Sequence, residues 1–87
     1  MSYSDSEALD VLGPALNELH ARGLRWPWMF RWFGEKVIAS MHTAMVGARD
    51  MALLMEVANK HGCEVSFYSL NPLYSEKVLQ VEIGKTR

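Results

Sequence analysis

Residues 25–46 read Arg25-Trp26-Pro27-Trp28-Met29-Phe30-Arg31-Trp32-Phe33-Gly34-Glu35-Lys36-Val37-Ile38-Ala39-Ser40-Met41-His42-Thr43-Ala44-Met45-Val46, and the reading of this stretch decides the fold. Pro27 suits the first position of a helix and disfavours helical geometry at Trp26, so a helix start is placed there. At about 100° per residue, Met29, Phe30, Phe33 and Val37 then share one side, and Trp28, Arg31, Trp32 and Glu35 share the other. On this reading the first set lies in the core and the second at the surface; three tryptophans within seven residues also admit the other reading, that they anchor the core. Residues 36–42 admit two readings. Val37, Ile38 and Ala39 open a strand, while Phe33, Val37, Met41, Ala44 and Ala48 continue a helical stripe, and short apolar runs are not decided by period alone. A strand over 36–42 is adopted.

On the N-terminal side, Ser4 followed by Glu7 forms a capping-box pattern, and Leu9, Leu12, Leu16 and Leu19 recur at helical spacing. The pattern predicts an amphipathic helix over 5–22, stopped by Gly23. Pro14 removes a backbone donor inside it, so a kink, or a break at Gly13 with a second piece starting at Pro14, is expected.

On the C-terminal side, Ala48 to His61 is rich in Ala, Leu, Met and Glu and predicts a helix closed by Gly62. Met51 and Met55 share its spacing with Leu54 and Ala58 and are assigned to the core. Val65, Phe67 and Ser69 then alternate with Glu64, Ser66 and Tyr68, and Leu79, Val81 and Ile83 with Val78, Gln80 and Glu82. These are two half-buried strands, read as a hairpin across 71–76. Asn71-Pro72-Leu73-Tyr74 matches the short turn that phosphotyrosine-binding-type domains recognise, but Asn-Pro is also an ordinary turn opener, and a plain loop is the reading taken.

The elements sum to an α+β class, with helices packed on one face of a small antiparallel sheet that ends in a C-terminal β-hairpin. If 27–46 were helical, three helices followed by a hairpin would give a winged-helix-like order instead. The 87 residues suit a single compact domain spanning 1–87, and 49% hydrophobic with 22% charged residues is the mixture of a globular chain. Cys63 is the single cysteine, so no intrachain disulfide forms, and a reducing, cytoplasmic home is expected. The first ten residues carry acids and no base ahead of any apolar run, unlike an export signal, and no apolar run approaches the roughly 20 residues that cross a bilayer.

The net charge of −1 is unevenly spread. Asp5, Glu7, Asp10 and Glu18 face no base over 1–18, whereas Arg22, Arg25, Arg31 and Lys36 outnumber Glu35 over 19–36. The balance argues against a general nucleic-acid binder and leaves one basic patch.

Catalytic signatures are weak. His61-Gly62-Cys63 has neither the ligand count nor the spacing of a zinc site, and Cys63 lacks the base and electropositive setting of a nucleophile. No glycine-rich phosphate loop occurs. Asp5, Glu7 and Asp10 are read as solvated acids facing the positive end of a helix dipole. His42 has no sequence neighbour that would make it a catalytic or pH-sensing group, and a structural role is assigned.

No catalytic residue, metal or cofactor is therefore expected. The leading expectation is a non-catalytic protein-interaction module, such as a small inhibitor or regulator of the kind found among phage and plasmid accessory proteins. It would bind a protein partner or a second copy of itself through Arg25, Trp28, Arg31, Trp32 and Lys36, since Trp and Arg are enriched in interface hot spots. The alternative is a winged-helix-like nucleic-acid binder using Arg22, Arg25, Arg31, Lys36 and Arg49 on phosphates. No membrane partner is expected.

Overall fold

The helix α1 (Asp5–Ala21) opens the chain. The strands β1 (Met29–Phe33) and β2 (Lys36–Thr43) follow, then α2 (Ala48–Lys60), β3 (Glu64–Ser69) and β4 (Leu79–Thr86). This is a computed structural model, and it describes residues 5–69 and 79–87. Ser4 and the 71–76 turn, with its Asn-Pro-x-Tyr pattern, lie outside the described residues.

All neighbouring strands run antiparallel in the order β1-β2-β4-β3, so β2 and β4 are central and β1 and β3 form the margins. The two helices cover one face: α1 lies over β2 and β4, and α2 packs on α1 and β3. The class is α+β, as the period change along the sequence predicts. With two helices and four strands among the described residues, the winged-helix alternative does not match.

The core follows from the two periodicities. From α1 come Ala8, Leu12, Ala15, Leu16 and Leu19, and from α2 Leu54, Val57 and Ala58. Every second residue of the central strands meets them: Val37, Ala39 and Met41 on β2, Val81 and Ile83 on β4. Each helix ends as its glycine predicts. Leu24 N–H reaches Leu19 C=O at 2.8 Å and Gly23 N–H reaches His20 C=O at 3.1 Å; the same crossed pair recurs from Cys63 to Ala58 and from Gly62 to Asn59. These bonds satisfy last-turn carbonyls that would otherwise be orphaned.

Three expectations are corrected. First, the break at Gly13 does not occur: α1 passes through Pro14 as one helix. The ring is exposed and only one backbone donor is lost. Second, Met51 and Met55 are largely exposed. The buried line of α2 runs through Leu54, Val57 and Ala58, and at about 100° per residue its centre lies well round the helix from both methionines. Third, the segment after Pro27 is a strand, with consequences taken up below.

The ends of the two helices are tied by Glu18. Its Oε1 accepts hydrogen bonds from Lys60 Nζ at 2.8 Å and from His61 Nε2 at 3.1 Å, and Arg22 lies 3.5 Å from its other oxygen. The Lys60 bond, then the His61 bond, lower its pKa from 4.5 to about 2. A carboxylate held lower in the folded chain than in the unfolded one contributes stability that is complete above 4.5 and is lost as pH falls towards 2. Glu18→Gln is accordingly expected to weaken the fold at neutral pH and to flatten the loss of stability between about pH 5 and pH 2. Urea melts of both proteins across that range check this. Equal acid slopes would refute the assignment.

Candidate functional site

The β1–β2 hairpin is built by its turn. Gly34 and Glu35 are the two residues between paired Phe33 and Lys36, and Gly34 has φ +58°, the positive value that a two-residue hairpin turn with glycine first requires. Once the turn closes, side chains alternate with period two. Trp28, Phe30 and Trp32 point towards the helices and pack half-buried on the core, while Met29, Arg31 and Phe33 point to the sheet face that neither helix covers.

This rearranges the expected site. Arg31 and Lys36 are on the open face, and Arg25 is exposed just ahead of β1. Trp28 and Trp32 turn away from Arg31 to the inner side, because a strand sends alternate residues to opposite faces where a helix would have grouped positions 28, 31 and 32. Met29 and Phe33, assigned to the core by the helical reading, are 73% and 60% exposed. Only Phe30 of that trio packs inward.

The open face has a polar middle and an apolar margin. Arg31 reaches across β2 to Glu82 on β4 at 2.5 Å, and Gln80 donates to the same carboxylate oxygen at 2.6 Å. Glu82 is 6% exposed although no helix covers it, so the Arg31 bridge and its neighbours shield it. His42 and Gln80 pair at 3.3 Å. Lys36 spans from β2 to Glu64 on β3 at 2.5 Å, its stem lying over Gly84. These two bridges lace all four strands from the side without helices. Around them Met29, Phe33 and, on the opposite margin, Tyr68 remain exposed. The Arg31 guanidinium also sits 5.2 Å from the centre of the Phe33 ring, a cation–π contact.

On the helix side, a groove of about 370 Å³ separates α1 from β1, lined by the apolar Leu9, Leu16, Leu24, Trp26, Trp28 and Phe30 and by the polar Asn17 and His20. Trp26 and Trp28 stack obliquely at 5.6 Å. β1 thus carries exposed apolar surface on both sides of its outer edge. Trp28 to Phe33 is apolar at every position but Arg31, so no alternation in the sequence marked Met29 and Phe33 as facing outward; Gly34 as a hairpin turn was the signal that could have found them.

Elsewhere, burial pushes the Cys63 thiol up, which disfavours the thiolate a nucleophile needs. Arg22 pairs with Glu18 and Glu56, and Arg31 and Lys36 with Glu82 and Glu64. Three of the five bases expected for phosphate binding therefore sit against carboxylates. No helix is long and apolar enough to cross a membrane among the described residues. No family model, curated protein or solved structure matches the chain.

Proposed function

We propose that this chain is a non-catalytic protein-interaction module, a small regulator or inhibitor that docks on another protein through β1 and the adjoining margin of the open sheet face. The observation that carries the reading is the pair Met29 and Phe33, two large apolar side chains exposed together on an outer strand. Exposed hydrophobic residues clustered beside an unprotected strand edge mark interaction surfaces. The nucleic-acid reading has less support, since carboxylates already neutralise Arg22, Arg31 and Lys36.

The test is capture from the native host by immobilised wild type and by the Met29→Lys/Phe33→Lys variant, with nuclease and raised salt as separate arms. A protein retained by wild type under nuclease and salt, and released by the variant while its melting temperature stays unchanged, is the expected result. Binding that disappears with nuclease, or that ignores the double substitution, would overturn the reading. Phosphate-based binding falls steeply with salt because counterions are released, whereas an apolar interface does not.

A further inference from the structure

We propose that the open-face cavity at the end of the β1–β2 hairpin opposite its turn anchors the partner, that it takes a tryptophan side chain, and that His42 Nδ1 accepts the indole N–H. This rests on the docking reading above and names the side chain that the surface reads.

A chain of hydrogen bonds fixes the imidazole. The Glu82 carboxylate, bridged to Arg31, can only accept, so the Gln80 group 2.6 Å from it is the amide nitrogen. The Gln80 oxygen therefore faces His42, and it too can only accept. His42 Nε2, 3.3 Å away, must carry the proton, which leaves Nδ1 of the neutral ring with a lone pair. The two nitrogens lie on opposite edges of the ring. Gln80 stands opposite His42 on the β4 side, so Nδ1 is turned to the β1 side. It has no partner among the described residues.

The cavity lies on that side. β1 begins at Met29, whose partner is Ser40, and β2 runs on through Met41, His42 and Thr43 with no strand beside it on this margin. The space so left is about 310 Å³, lined by Pro27, Met29, Ser40, Met41 and His42. That is the lower end of the range of pockets that hold small ligands, and it suits one large side chain.

The lining selects which one. Its walls are apolar apart from the Ser40 hydroxyl and the imidazole, and no carboxylate is present to receive a lysine or an arginine. An indole brings a large apolar surface and an N–H that donates without needing to accept. Phenylalanine would cover the Nδ1 lone pair and leave it unpaired, which costs free energy. The exposed Met29 thioether adds a favourable contact with an aromatic ring. Tryptophan is also among the residues most enriched in interface hot spots.

Two measurements on the full chain test this. Nitrogen NMR of the imidazoles at about pH 8, above the ordinary histidine range, is expected to show His42 protonated on Nε2 and bare on Nδ1. The binding probe is N-acetyl-tryptophanamide at millimolar concentration, which should shift the Met29 methyl and His42 ring signals together. Its N-methylindole counterpart, which lacks the N–H, should bind about fivefold or more weakly. His42→Phe keeps a ring but removes the acceptor; it should melt as wild type does and bind the two probes equally. An Nδ1–H tautomer, equal affinity for both probes in wild type, no response at Met29 and His42, or a preference that persists in His42→Phe overturns the proposal. The docking reading has its own readout: a partner released by Met29→Lys/Phe33→Lys but held undiminished by His42→Phe removes only the tryptophan anchor.

Discussion

Trp32→Ala is expected to lower stability by about 3 kcal/mol, while Phe33→Ala, one residue on, should cost well under 1 kcal/mol. Trp32 lies on the helix-facing side of β1 and packs against the core; Phe33 faces the uncovered side and is 60% exposed. Deleting an aromatic side chain that packs on the core loses both transfer free energy and close contacts, with incomplete relaxation around the gap. An exposed ring loses mainly its contact with Arg31, whose guanidinium is 5.2 Å away. In a domain this size about 3 kcal/mol corresponds to a drop of roughly 15 °C in melting temperature. Paired thermal melts decide the matter. Equal losses would mean that β1 does not alternate as described.

The second large effect is expected at Gly84, a buried residue of β4 on the open face. A Cβ there would stand 3.1 Å from Lys36 Cε, 3.4 Å from the Val37 carbonyl oxygen and 3.5 Å from Ile38 Cγ1. The nearest atom belongs to a flexible stem, so Gly84→Ala can be accommodated by displacing Lys36 from Glu64, a bridge between half-exposed groups that contributes little. Gly84→Val adds two methyls against the backbone of β2 as well, where nothing can move without shifting the strand. It should cost about 3 kcal/mol, at the upper end of overpacking penalties. Adding Lys36→Ala should recover the small loss of Gly84→Ala but not that of Gly84→Val. Denaturant melts of the four variants test this, and recovery of the valine variant would refute the backbone clash.

The Arg31 and Lys36 bridges show why the open face is not a second core. Both cross the strands diagonally, offset by two positions in the register: Arg31 stands opposite Ile38 while Glu82 stands opposite Ser40, and Lys36 stands opposite Thr86 while Glu64 stands opposite Gly84, whose missing side chain lets the Lys36 stem pass. The middle of the face is thereby satisfied internally, and the surface left for a partner moves to the margin at β1. Distribution of exposure, more than composition, is what directs attention to Met29 and Phe33.

For β2 the period left strand and helix both open; the sequence by itself determined the helix of Ala48 to Lys60, its stop at Gly62, the stop of α1 at Gly23, and the alternating strands β3 and β4. Those signals are local: a 3.6-residue apolar period, a period of two, and glycines that end a helix through bonds reaching only a few residues back. β1 was decided by tertiary structure. Trp28 to Phe33 has apolar residues at nearly every position, so helical and extended readings both find an apolar side, and a proline that can open a helix stands just ahead. What separates the readings is the cost of leaving strand groups unpaired. Once Gly34 turns the chain, β2 offers Met29 to Phe33 a complete ladder, and Trp28, Phe30 and Trp32 gain the core beside α1. Long-range bonds of that kind have no trace in spacing. For the same reason the sequence could name Arg31 as a surface residue but not its partner, since Glu82 lies 51 residues away and becomes a neighbour only when β2 and β4 pair between them.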